Sequence, residues 1–283
     1  MKLGVSSYSF HKYMSDTGCD HRKICDLAKE MGFDGIEFID LIPKGGTKED
    51  ALHKAEAIRN HCAEIDLPIC AYAVGANLLS EDVEKEIRAL CDQVDIAVAL
   101  GVSVMRHDAA FALPKKEGYG WREGIRDMAP HIRRVADYAE AHGVRTCTEN
   151  HGYIYQAPER VEELIRAVNH KNFGWLVDMG NFLCADADPT RAVVIGAPYA
   201  FHVHAKDFLF KSGALPKPSG FFPTAGANYL RGTVLGHGVV PVQNCVNVLK
   251  TAGYDGWISL EFEGMEENLP AVRAGLEYLR SIV

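Results

Sequence analysis

Four short apolar runs in the second half of this chain each end in a carboxylate or an imidazole. VRTCTE leads through Glu149 into Asn150-His151, and FGWLVD ends on Asp178 and continues as Met179-Gly180-Asn181. AFHVHA carries His202 and His204 ahead of Lys206-Asp207, and WISLEF holds Glu261, with Glu263 two residues on. Two Glu, one Asp and one His are metal ligands by type: hard oxygen donors plus one borderline nitrogen, a set that suits Mn2+, Mg2+, Co2+ or Zn2+. Three carboxylates carry a charge of −3 against the +2 of one such ion, and burying them together without it is very unfavourable. Taken singly, each residue reads better as a solvated loop group or a salt-bridge partner. Four at equivalent positions on consecutive segments read as one divalent-metal centre.

Such residues meet only if the runs that carry them are neighbours. Short apolar runs alternate with longer charged amphipathic ones along all 283 residues, which is the pattern of repeated βα units and a parallel sheet. Eight strands are predicted, centred on residues 3–8, 34–38, 68–74, 102–106, 144–149, 173–178, 200–205 and 256–262. Helices are predicted from Asp20, as N-cap, to Gly32, over KEDALHKAEAIRNHCAEID, from Ser80 to Gly101, over GIRDMAPHIRRVADYAEAHG, and in segments ending at Asn169, Gly253 and Val283. The joints AKEMGFDG, AVALGVSV, AEAHGVRT and LKTAGYDG each put a helix-ending glycine directly before a strand. An open doubly wound sheet shares this alternation. No GxGxxG follows the first strand and the strands are evenly spaced, so the expectation is a single-domain (β/α)8 TIM barrel over residues 1–283. Barrel active sites lie at the C-terminal ends of the strands, which is where the four segments carry their ligand-type residues. The longest irregular stretch, Lys211–Gly238, contains KPSGFFPTAGANY and is expected to be a functional loop.

Composition narrows the classes. The apolar fraction of 47% is ordinary for a globular chain, and the formal net charge of −8 disfavours a nucleic-acid partner. The eight cysteines, at positions 19, 25, 62, 70, 91, 147, 184 and 245, show no CxxC spacing and read as reduced core thiols. MKLGVSSYSF lacks the apolar stretch of a signal peptide, and no window approaches the roughly 20 apolar residues of a membrane span. A cytoplasmic location and no membrane partner are expected.

The motifs GFDGIEF, TENHG, VDMGN, HVHAKD and LGHG…LKTAGYDGWISLEFEG together resemble the sugar phosphate isomerase/epimerase family, the xylose isomerase-like barrels, over nearly the whole chain. The family also takes in ketose 3-epimerases, inosose isomerases and dehydratases and, more distantly, endonuclease IV. The resemblance implies one divalent ion (Mn, Zn, Co or Mg) held by Glu149, Asp178, His204 and Glu261. It also implies that Glu149 and Glu261 are catalytic, one removing a proton beside a substrate carbonyl and the other returning it. A cation on the carbonyl and neighbouring hydroxyl oxygens stabilises the enediolate that forms, and the base must stand within about 2.6–3.2 Å of the hydrogen. Two departures bear on substrate choice: Asn181 stands where many sugar epimerases of the family have a His, and the loop motif often seen as GEG is GHG here, with His237 at its centre.

The implied activity is a metal-dependent isomerase or epimerase of a ketose, related sugar or cyclitol. The alternative is a lyase that starts with the same proton abstraction and expels a β-leaving group. A nuclease like endonuclease IV is remote, because that chemistry uses three zinc ions and more His ligands. The expected partner is a small carbohydrate, and self-association into a homo-oligomer is compatible with this reading. Substrate contacts are expected from Asn181, Lys206, His107, Glu37, His237, Trp121 and Tyr8. The competing structural readings are hydrogen bonding for Glu37 and packing for His107 and Trp121. His202 is expected to be a hydrogen-bonded interior group, Asp207 a local cap, and Phe221 and Phe222 a lid or subunit contact. His151 and Glu263 are expected beside the ligands or at the surface.

Overall fold

The chain, seen in a computed structural model that describes residues 1–42 and 45–283, forms eleven strands among the described residues. These are β1 (Lys2–Ser6), β2 (Gly35–Ile39), β3 (Ile69–Val74), β4 (Val104–His107), β5 (Arg145–Glu149), β6 (Phe173–Asp178), β7 (Ala200–Ala205), β8 (Asp207–Lys211), β9 (Phe222–Pro223), β10 (Tyr229–Thr233) and β11 (Trp257–Leu260). Eight of them close a parallel barrel in the order β1-β11-β7-β6-β5-β4-β3-β2. Each of the eight expected strands is found at its place. The (β/α)8 barrel is therefore the fold of the chain.

The helices are α1 (His11–Thr17), α2 (His21–Met31), α3 (Lys48–Glu64), α4 (Val83–Leu100), α5 (Trp121–Ala141), α6 (Pro158–Val168), α7 (Pro189–Gly196), α8 (Val242–Thr251) and α9 (Asn268–Ile282). Asp20 caps α2 by accepting from the Lys23 amide, and Thr47 and Asp50 form a capping box at α3. The cap of α4 is Asp82, two residues beyond the expected Ser80. At the helix-to-strand joints Gly32 and Gly101 take φ values of 90° and 78°, a left-handed conformation that turns the chain straight into the next strand. No helix among the described residues is long and apolar enough to cross a membrane. The eight cysteines are free thiols.

Three features differ from the sequence reading, the first being the short helix α1, which no predicted helix covers. Helix α7 is only eight residues long, too short to show a periodicity, and is started by the Asp188 cap with Pro189 behind it. The stretch expected as an irregular loop, Lys211–Gly238, carries two short strands, β9 and β10, that join β8 in an antiparallel sheet of order β8-β10-β9. Its strands are two to five residues long and separated by Gly- and Pro-rich turns, so alternation has no room to show. Phe222 packs edge-on against Phe208 inside this sheet.

The sheet is fastened on two sides. The Asp186 carboxylate, just past β6, accepts hydrogen bonds from Thr224 Oγ1 (2.8 Å), Asn228 Nδ2 (2.9 Å) and the Gly226 amide (2.5 Å). Beyond β11, Thr233 Oγ1 donates to Glu266 Oε1 at 2.7 Å, and Gly232 lies against the backbone of Glu263. Asp207 gathers the backbone amides of Phe208, Gly236, Gly238 and Val240. A Cβ at position 238 would fall 2.1 Å from Asp207 Oδ1. Gly238→Ala is therefore expected to lower stability by about 1–3 kcal/mol through overpacking. A thermal melt should fall by several degrees, and an unchanged melt would show that the loop is not held by this clamp.

Candidate metal centre

Side chains alternate between the two faces of a strand. Val104, Cys147 and Leu176 form a small apolar cluster inside the barrel. Two residues further along the same strands come Arg106, Glu149 and Asp178, which therefore face the same interior one layer higher. His202 and His204 share that parity on β7, as do Ser259 and Glu261 at the end of β11. Because β5, β6, β7 and β11 are consecutive in the barrel, their upper ends converge. Glu149, Asp178, His204 and Glu261 each bring one ligand atom within 4.8 Å of the others.

The donor geometry fits a divalent cation. His204 Nδ1 lies 3.5 Å from Glu261 Oε2, 3.8 Å from Asp178 Oδ2 and 3.9 Å from Glu149 Oε1. His204 Nδ1 and Asp178 Oδ2 are buried atoms without a hydrogen-bond partner, a costly state unless a ligand takes both. Asp178 Oδ1, in contrast, accepts from the Gly180 and Asn181 amides at 2.8 Å each. Those bonds aim the other oxygen into the cluster. Charge points the same way. Glu149, Asp178, Glu261 and Glu263, together with Asp108, face only Arg106 and Lys206, so the cluster holds more carboxylates than cationic side chains, an excess that suits a cation.

Neighbouring groups hold the ligands. Lys206 Nζ sits 2.6 Å from Glu261 Oε2, 3.4 Å from Asp178 Oδ2 and 3.5 Å from Glu263 Oε2. Arg106 Nη2 pairs with Glu149 Oε2 at 2.5 Å and Asp108 Oδ1 at 2.8 Å, while its Nη1 donates to the Val74 carbonyl. Asn181 bridges the two halves: its Nδ2 donates to Glu149 Oε1 at 2.8 Å and its Oδ1 accepts from Lys206 at 3.3 Å. Burial pushes the Asp178 carboxyl up to about 6, against the pull of Lys206. Burial also works against the charge on Glu261, but Lys206 and His204 outweigh it and hold that carboxyl well below the usual range.

The cluster floors a cavity of about 250 Å3 whose lining includes Tyr8, Arg106, Glu149, His151, Lys206 and Glu261. That is just under the usual range for drug-sized ligands and suits a small polar molecule. Tyr8 and Lys206 thus stand where the sequence places them, and Asn181 lies buried between two cluster members. Glu263 also lines the cavity. His151 faces the cavity too, with Nδ1 on Asp108 Oδ1 at 2.9 Å. Burial opposes its charge, but the Asp108 carboxylate wins and raises its proton affinity.

Four expected substrate contacts are elsewhere. Glu37 is fully buried beneath the cluster, hydrogen-bonded to His202 and His204. His107 has the opposite parity to Arg106 and lies buried outside the barrel wall, against Phe173 and on the Asp108 carbonyl. Trp121 opens α5, with the guanidinium groups of Arg122 and Arg160 over its ring at 4.1 and 5.4 Å. His237 is exposed at the tip of the clamped loop, whose neighbouring glycine amides serve Asp207. The residue that the sequence reading missed is Arg106. The signal was present: Arg106 is two residues after Val104 in VSVMRHD, so the parity that takes His107 outward brings Arg106 inward.

Comparison with known proteins places the chain. It is 27% identical over 201 residues to the rhizopine catabolism protein MocC of Rhizobium meliloti, covering 66% of this chain and 60% of MocC. It is 25% identical over 150 residues to inosose dehydratase of Geobacillus thermodenitrificans, covering 52% of this chain and 48% of that enzyme. The matches thus span about half to three fifths of the curated relatives' length. Among solved structures, the IOLI protein with a bound zinc atom superposes with a TM-score of 0.76 at 16% identity, covering 100% of this chain and 98% of that one. The profile of the xylose isomerase-like TIM barrel family matches residues 25–282, and the chain belongs to that family.

Proposed function

We propose that this chain is a divalent-metal-dependent enzyme that moves a proton on the carbon beside the carbonyl of a keto-sugar or cyclitol, with isomerisation or epimerisation as the outcome. One observation supports the reading: Glu149, Asp178, His204 and Glu261 converge beside the cavity, and two of their buried ligand atoms, His204 Nδ1 and Asp178 Oδ2, have no hydrogen-bond partner. When bound there, a divalent cation supplies positive charge for the negative charge that develops on substrate oxygens. The protein's own groups do the rest. Asp178 and His204 are spent on holding the cation, and neither needs to move a proton. Glu149 and Glu261 reach the cavity from two sides, and each has a carboxylate able to take or return a proton. Lys206 keeps Glu261 ionised and ready as a base, and Arg106 fixes the orientation of Glu149. Both cations are committed to carboxylates, so the lining favours a neutral polyhydroxylated substrate over a phosphorylated one.

A second outcome has support of its own. His151 is a further proton carrier on the cavity wall, able to serve a departing β-hydroxyl, and the likeness to inosose dehydratase favours elimination. The nuclease reading draws nothing from the site, which is small and surrounded by carboxylates.

The test is solvent-deuterium wash-in by metal-loaded protein against ketoses, inososes and 3-keto-glycosides. Incorporation without net elimination supports isomerisation. An ultraviolet-absorbing alkene product supports the lyase outcome. If no carbonyl compound of these three classes exchanges hydrogen in the presence of Mn2+, Zn2+, Co2+ or Mg2+, the proton-transfer reading is wrong.

A further inference from the structure

Beneath the cluster lies a charged group that the proposed chemistry does not use. Glu37 reaches into the barrel from β2, on the far side of β1 and β11 from the histidines of β7. It is completely buried, and so is His202. Glu37 Oε2 lies 2.8 Å from His202 Nε2, and both oxygens of Glu37 lie 2.9 Å from His204 Nε2. Ser259 Oγ also lies 2.8 Å from His202 Nε2. A fully buried carboxylate with no access to the cavity needs an internal reason for being there.

We propose that Glu37 is a positioning residue for the metal: it accepts the Nε2 proton of His204, fixes the imidazole in that tautomer, and so presents the Nδ1 lone pair to the cation. The inference rests on the metal reading above. Both carboxyl oxygens lie 2.9 Å from the same ring nitrogen, and that arrangement is satisfied when Nε2 is the donor. The other nitrogen, Nδ1, is the one left unsatisfied among Glu261, Asp178 and Glu149. Were the proton on Nδ1 instead, the carboxylate would face a lone pair in a dry interior and the cation would face a hydrogen. His202, with Nε2 on the same carboxylate, braces Glu37 from below. A metal-ligating histidine that gives its second N–H to a carboxylate gains both orientation and basicity.

A rival use of the same residues is a second ion between Glu37, Cys70 and His202, which also lie within 4.8 Å of one another. The hydrogen bonds argue against it. His202 Nδ1 has no partner, but both Glu37 oxygens and His202 Nε2 are already engaged, and burial pushes the Cys70 thiol up, away from the thiolate that a metal needs.

The test uses the whole protein with Zn2+ or Mn2+ as sole ligand. Glu37→Gln is expected to weaken metal binding about 10- to 100-fold, the usual effect of removing such a partner. The rise in melting temperature on adding metal shrinks accordingly. A purely structural role would lower the melt equally with and without metal and leave affinity unchanged, and that result overturns the proposal. Glu37→Asp, which keeps the charge, should recover part of the lost affinity. A measurement on the unaltered protein covers the case in which the variants do not fold: nitrogen NMR of histidine-labelled, Zn2+-loaded protein should show His204 protonated at Nε2 and bound through Nδ1. Zinc on Nε2 overturns the proposal. Failure of the unaltered protein to bind any divalent ion would instead sink the underlying metal reading.

Discussion

Glu261→Gln will slow hydrogen exchange at the substrate carbon by about 100- to 10,000-fold, the contribution of one well-placed general base. The amide is nearly the same size and keeps an oxygen that can still approach the cation. What it loses is the ability to take a proton. It also loses the charge that Lys206 balances at 2.6 Å, so the lysine is left facing Asp178 and Glu263. Glu149→Gln should behave alike, with the added penalty that Arg106 Nη2 keeps only Asp108 as a carboxylate partner. Elemental analysis separates the two roles of each glutamate. A variant that keeps its metal but not its exchange has lost a base, whereas full exchange by a metal-loaded variant removes that residue from proton transfer.

The second large effect concerns metal retention. Asp178→Asn should weaken divalent-ion binding by more than about 100-fold, beyond the loss expected when only an outer partner is removed. The asparagine oxygen can still accept from the Gly180 and Asn181 amides, so the turn keeps its shape. Only the inward oxygen, which accepts no hydrogen bond in the protein, is replaced by an amide nitrogen that cannot ligate. The sign of the stability change should differ with metal. Burial already pushes this carboxyl up to about 6, so at pH 8 the charge is a burden on the metal-free fold. The metal-free variant should therefore melt no lower than metal-free wild type. With saturating metal, wild type gains stability by mass action, about 2.7 kcal/mol at 100 times Kd, and the variant does not. Equal metal content after dialysis would refute the assignment of Asp178.

The barrel was legible because two periodicities are written in the chain: glycine-ended helices and short apolar runs that follow them directly. The four ligand-type residues were legible for a related reason, since each ends such a run, and strand ends are where a barrel exposes chemistry. What stayed hidden depends on contacts between distant segments. Glu37 finds His204 across the barrel interior, 167 residues away, and nothing local to GFDGIEF announces that. Arg106 and His107 are adjacent in sequence, and only the face assignment separates a cavity wall from a packed exterior. Trp121 is the first residue of α5 and His237 lies in a connecting segment, and no pattern fixes the path of the chain at either place. The three-stranded sheet after β7 escaped because its strands are too short to alternate.

That sheet has a consequence for how such a barrel can diversify. It is anchored through Asp186 on one flank and Glu266 on the other, yet none of its strand residues faces the cavity. The tip between Ser212 and Gly220 makes no hydrogen bond or ion pair to Glu149, Asp178, His204 or Glu261, and the Gly213 amide ties it back to Asn228, just ahead of β10. Changes in length or chemistry at that tip are therefore expected to leave the four converging side chains in place. New neighbours for the mouth of the barrel can be acquired there while the core of the site remains as it is.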